Sequence, residues 1–153
     1  MKINLITLLA ISILICACAS PNHIRNLTTD GCSLFPDGNL KDRHLWCDCC
    51  FAHDIAYWRG GTREERMSAD ETLKACVQEK TNDKVLAETM FLGVRGGGSA
   101  AFPTWYRWGY GWSYGREYAP VTEEEQDQAQ LRLAAYFAKH PSGYCGEKRG
   151  GKK

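Results

Sequence analysis

The chain has 153 residues, with 19 Lys and Arg against 18 Asp and Glu, a formal net charge of +1 and 44% apolar residues. So even a balance excludes the broad electropositive field of a nucleic-acid binder, and the length suits one compact core rather than two. Eight cysteines in so short a chain point to covalent bracing.

In chain order, Met1-Lys2 and the apolar run from Leu5 to Ile15 have the form of a secretory signal, too short for a membrane span. Two processing sites compete: Ala17-Cys18-Ala19 before Ser20, and the bacterial lipoprotein box Ile15-Cys16-Ala17-Cys18, in which Cys18 is lipidated. The second is preferred. Residues 1–17 are thus expected to be a signal peptide and residues 18–153 a single domain with an N-terminal tether. The expected location is the bacterial cell envelope, lipid-anchored at the outer membrane through Cys18, or otherwise secretion.

Beyond Cys16 and Cys18 stand Cys32, Cys47, Cys49, Cys50, Cys76 and Cys145, an even set that reads as three disulfides in an oxidising compartment. The alternative is a zinc site built from Cys47, Cys49, Cys50 and His53. Crowding four ligands into two turns of one helix counts against it.

Residues 18–30 read as a polar tether, and Gly31, Pro36, Asp37 and Gly38 mark an irregular loop from Asp30 to Asn39. A first helix is predicted from Lys41 or Asp42 to Arg59, with Leu45, Cys49, Ala52 and Ala56 on its apolar face and Gly60-Gly61 ending it. Thr62-Arg63-Glu64-Glu65 is a capping box, so a second helix starts at once and runs to about Lys80. The short link makes the two helices antiparallel neighbours. A third helix is predicted from Asn82 or Asp83 to Val94, closed by Arg95-Gly96-Gly97-Gly98. Residues 99–119 alternate aromatic residues with glycine and show neither helical nor strand period. Thr122-Glu123-Glu124-Glu125 is a further capping box, opening a C-terminal helix to Lys139 with Leu131, Leu133, Ala134, Tyr136 and Phe137 among its apolar positions. After Pro141 the tail is basic and glycine-rich apart from Cys145.

Cys49-Cys50-Phe51-Ala52-His53-Asp54 is the most informative segment. Positions four apart share a helix face, so Cys49 lies under His53 and Cys50 under Asp54. Six cysteines allow fifteen connectivities. Among them, a Cys49–Cys76 bond across the antiparallel pair would set Asp70, about 9 Å back from Cys76, between His53 and Tyr57, about 6 and 12 Å forward from Cys49. Asp70 could then fix the imidazole tautomer while the Tyr57 hydroxyl holds the carboxylate. A Cys32–Cys50 bond would tie the loop beside Asp54, where that carboxylate and the backbone carbonyls of Gly31 and Ser33 suit a hard cation such as calcium. Cys47 and Cys145 remain by elimination.

Cys49-Cys50-x-x-His53-Asp54-x-x-Tyr57, with Ala69-Asp70 and then Cys76, resembles the active-site core of the secreted phospholipase A2 family over residues 30–80. The resemblance implies a mainly α, disulfide-braced phospholipase A2-like fold with two antiparallel core helices, an irregular aromatic and glycine-rich segment and a C-terminal helix. It also implies calcium-dependent hydrolysis of the sn-2 ester of glycerophospholipids. Residue by residue, His53 resembles the general base, Asp70 its orienting carboxylate, Tyr57 the supporting hydroxyl and Asp54 the calcium ligand. The family's glycine-rich loop, Gly-Cys-x-Cys-Gly-x-Gly-Gly, is represented by Gly31-Cys32-Ser33-Leu34-Phe35-Pro36-Asp37-Gly38, with one cysteine and fewer glycines. The long excursion usual between the two main helices is replaced by Gly60-Gly61.

A histidine on an apolar helix face is ordinarily satisfied within the core, but Asp54, Asp70 and Tyr57 give His53 the company of a site. His23, His44 and His140 lack such company and read as surface or structural. Arg63 to Arg66 read as a solvated first turn with local ion pairs. The aromatics from Phe102 to Tyr118 fit either a core or a membrane interface. The expected function is an exported phospholipase acting at a phospholipid membrane surface, with His53 drawing a proton from water. The alternative is a lipid-anchored envelope binding protein on the same scaffold, without catalysis.

Overall fold

The computed structural model describes residues 23–150, and the expectations for Cys16, Cys18 and Ser20 lie outside them. Among the described residues the chain is mainly helical, with α1 at Cys47–Arg59, α2 at Arg63–Thr81, α3 at Lys84–Gly97, α4 at Glu123–Lys139 and α5 at Gly143–Gly150, and with no strand. Three disulfides join Cys32 to Cys50, Cys47 to Cys145 and Cys49 to Cys76. The zinc alternative falls with them, because all three of its cysteines are spent in disulfides.

The first helix begins at Cys47, later than the predicted Lys41 or Asp42. Local polar side chains hold the preceding residues in turns: Asn39 Oδ1 accepts from the Lys41 and Asp42 amides and Asp42 Oδ1 from that of His44, each at 2.9 Å. The chain turns helical only past Trp46, whose indole N–H donates to the Pro36 carbonyl at 2.7 Å.

Thr62 and Glu65 close the predicted capping box on α2, the Glu65 carboxylate accepting from the Thr62 amide at 2.7 Å. Asn82, at φ 54°, ends α2 in the left-handed conformation, and Asp83 caps α3. Moving forward along α1 through Cys49, His53 and Tyr57 meets Cys76, Asp70 and Arg66 in reverse order on α2, so the two helices are antiparallel. The third helix continues past Val94 to Gly97, because Arg66 Nη2 donates to the carbonyls of Val94 and Arg95 and holds that last turn. Gly98 is where the chain must lack a side chain, since a Cβ there would collide with the Tyr57 ring.

The aperiodic aromatic segment forms a clasp on the C-terminal end of α1. The indoles of Trp108 and Trp112 donate to the carbonyls of Gly61 at 2.7 Å and Arg59 at 2.6 Å, and the amides of Gly109 and Gly111 donate to those of Tyr57 and Trp58. Helix-end carbonyls otherwise left without partners are thereby satisfied while three large rings, Trp108, Tyr110 and Trp112, enter the core.

The tether expected over residues 18–30 is corrected from His23 onward: Ile24 and Leu27 are buried in the same core, and the Arg25 amide donates to Gly111 at 2.8 Å. The basic tail is corrected as well, since α5 packs on α1 through the Cys47–Cys145 bond and Arg149 Nη2 reaches Asp48 at 2.8 Å. On α4 Ala129 is buried and the predicted Leu133 and Tyr136 pack against the core, whereas Leu131, also expected on that face, is 72% exposed.

Candidate active site

Three helices meet at Asp70, which is fully buried on α2. Its Oδ1 lies 2.8 Å from His53 Nε2 and accepts from the Tyr57 hydroxyl at 2.8 Å, both partners standing one turn apart on α1. Its Oδ2 accepts from Arg95 Nη1 on α3 at 2.7 Å. Burial pushes the Asp70 carboxyl up, but the bonds from His53, Arg95 and Tyr57 together outweigh it and hold the group below its ordinary range. The carboxylate is therefore ionised. Burial and the Asp70 charge push the Tyr57 phenol up, so it stays a donor.

Arg66 supplies the next layer. Its Nε donates to the Tyr57 hydroxyl at 3.0 Å and its Nη1 to that of Tyr118 at 2.9 Å. It is 4% exposed, which corrects the solvated first turn expected over Arg63 to Arg66. Its spacing of four from Asp70 on one helix was the available signal. Arg95, expected only as part of a helix stop, also belongs to the cluster, with no comparable signal because α3 must be placed first.

Asp54 stands one residue beyond His53 and is 8% exposed. Its Oδ2 accepts from the Thr29 hydroxyl at 2.6 Å. Burial raises its pKa, the Thr29 bond lowers it, and the charges of Asp30 and Asp37 raise it again; the group is pushed up to about 8. Thr29 is a site neighbour hidden in the presumed tether.

Gly31, Ser33 and Asp54 line one cavity of about 340 Å³ together with His53 and Tyr57. Leu34, Phe35, Leu73, Met90 and Val94 make the rest of that cavity largely apolar. Its rim loop carries Leu34 at φ 60°, left-handed and 79% exposed. The oxygens of Asp54, Gly31 and Ser33 are hard donors of the kind calcium takes, and a buried carboxyl flanked by two further acids gains from a cation. A second group, Asp37, His44 and Cys47, brings ligand atoms within 4.8 Å of one another. It does not suit a metal, because Cys47 is bonded to Cys145 and Asp37 Oδ1 accepts from the Cys32 amide at 2.8 Å.

The remaining histidines stay outside the cluster: His23 faces Gln128 and His140 pairs with Glu147 at 2.9 Å. Among the described residues no helix is long and apolar enough to cross a membrane. Fold and site together define a disulfide-braced helical protein with a His–Asp–Tyr cluster at the wall of an apolar cavity. Comparison with protein-family models, with curated proteins and with solved structures gives no match to this chain.

Proposed function

We propose that this chain is a calcium-dependent hydrolase of glycerophospholipid sn-2 esters, resembling the secreted phospholipases A2 in fold and site. The observation that carries it is the His53–Asp70–Tyr57 arrangement, with two contacts of 2.8 Å on one oxygen, beside Asp54 and a largely apolar cavity of about 340 Å³.

Asp70 accepts a proton-bearing Nε2, so the tautomer assigned to His53 leaves Nδ1 with a lone pair and no protein partner among the described residues. Nδ1 takes a proton from water as the water oxygen bonds to the ester carbonyl carbon. The carbonyl electron pair moves to oxygen. When the tetrahedral intermediate collapses, the imidazolium returns its proton to the departing glycerol oxygen, and the free fatty acid and lysophospholipid leave. Asp70 stabilises the transient imidazolium, and Tyr57 and Arg95 keep that carboxylate from turning away. A calcium ion held by Asp54 with the Gly31 and Ser33 carbonyls would supply positive charge for the developing oxyanion. Export and anchoring through Cys18 would bring the cavity to a phospholipid surface.

The test is hydrolysis of phosphatidylcholine and phosphatidylglycerol vesicles with calcium or chelator, with positional analysis of the released chain. Wild type is expected to release the sn-2 chain only with calcium, and His53→Gln to lose roughly 10²–10⁴ in rate with its helical spectrum intact. Equal rates for the two proteins would remove His53 from the mechanism. No hydrolysis with retained vesicle association would favour the non-catalytic binding protein.

A further inference from the structure

We propose that the pocket between the N-terminal segment and the aromatic clasp is an anion site that takes a phosphate group, held by Arg25, Arg107 and Thr104. This pocket, about 470 Å³, shares no lining residue with the His53 cavity. Arg25 Nη2 and Arg107 Nη2 both donate to one oxygen, the Trp112 carbonyl, each at 2.9 Å, and Arg25 Nη2 donates to the Tyr110 carbonyl as well. The two cationic nitrogens therefore lie within twice that distance of each other. Arg107 is 5% exposed, yet among the described residues neither guanidinium pairs with a carboxylate. Arginines at least partly buried elsewhere do: Arg66 and Arg95 face Asp70, and Arg116 faces Glu125.

Arg107 is buried while Arg25 is exposed, and burial followed by the Arg25 charge pushes the Arg107 guanidinium down from its ordinary range. The two backbone carbonyls offer only partial charge against these cations, whereas an anion offers a full opposing charge. The Thr104 hydroxyl, on the same pocket wall, is buried without any hydrogen-bond partner. A hydroxyl without a partner, lining the same pocket as two guanidinia that lack a carboxylate, makes a donor set suited to tetrahedral phosphate oxygens. Trp105 and Tyr114, 53% and 62% exposed, frame the mouth and leave room for an organic substituent on the phosphate. The ligand is a phosphate monoester or diester, free or as a lipid headgroup.

The test is calorimetric titration of the folded protein with inorganic phosphate at constant ionic strength against chloride, beside sedimentation with vesicles of phosphatidylcholine alone or mixed with phosphatidylglycerol. Saturable phosphate binding is expected, weakened roughly tenfold or more by Arg107→Gln and several-fold by Thr104→Val. Should Arg107→Gln fail to fold, Arg25→Gln and Thr104→Val decide, since the latter removes only the orphaned hydroxyl. Phosphatidylglycerol-dependent sedimentation that phosphate displaces and Thr104→Val weakens identifies a headgroup. Phosphate binding combined with variant-insensitive sedimentation identifies a free phosphate ester. Binding absent from both arms, or unchanged in Arg25→Gln and Thr104→Val, overturns the site.

Discussion

Asp70 is one residue that ties three helices, taking His53 and Tyr57 from α1 and Arg95 from α3. Its neighbour Arg66 is as heavily used, bonding two hydroxyls and two carbonyls. Arg66→Met keeps much of the packing volume but strands those partners in the interior. It should lower unfolding stability by about 3 kcal/mol, read as a shift in the urea midpoint at unchanged slope. Asp54 gives a pH signature. Its ordinary value is 3.8 and its folded value about 8, so the cation-free fold retains a proton that the unfolded chain releases across that window, and its contribution to stability falls as pH rises. A cation takes the ionised form. Calcium affinity should therefore drop by roughly tenfold per pH unit below about 8, with proton release on binding, which paired calcium titrations in buffers of different ionisation heat would measure. An affinity flat over that range would separate Asp54 from the cation. The spacing of His53 and Tyr57 was legible in the sequence because helical periodicity sets it, and the place of Asp70 followed once a Cys49–Cys76 bond fixed the register of an antiparallel pair. Thr29 and Arg95 were not legible, because their reach depends on where a loop and a third helix settle, whereas Arg66 carried a signal in its spacing of four from Asp70.

Among the elements, α2 and α4 begin where their capping boxes predict, since a cap is a local bond between residues three apart. Helix ends governed by distant partners were less legible. The run Arg95-Gly96-Gly97-Gly98 reads as a stop, yet the helix passes through most of it under the hold of Arg66 and ends where Gly98 meets Tyr57. Gly98→Ala should push the Tyr57 ring off Asp70, destabilising the fold by roughly 1–3 kcal/mol and lowering the hydrolysis rate beyond what the folded fraction accounts for. Parallel thermal melts and initial rates would separate the two effects. The aromatic clasp had no readable period because its geometry follows the carbonyls at the end of α1 rather than any repeat of its own.

For the whole molecule, the Cys47–Cys145 bond spans a sequence separation of 98 and docks α5 against α1. Neither cysteine lines the His53 cavity. The paired change Cys47→Ser with Cys145→Ser should reduce stability by about 2–5 kcal/mol while leaving the rate per folded molecule near the parent value. Urea titration and an assay at low temperature check both halves. Loss of Cys49–Cys76, one turn from His53, should impair rate and stability together.

Local and periodic features were decided by the sequence itself: helical content, caps, the even cysteine set, and the facing of His53 and Asp70 once two helices run antiparallel. Caps and helical periods depend on residues a few positions apart, where backbone geometry leaves little choice, and the His53–Asp70 facing needs only one further condition, the antiparallel register of two consecutive helices. Tertiary structure decided the remainder: the burial of Ile24 and Leu27, the docking of α5, the arginines gathered around Tyr57 and Asp70, and the meeting of Arg25 and Arg107 on one carbonyl. Those outcomes turn on which distant carbonyl or carboxylate a side chain can reach, and that distance exists only after the chain has packed.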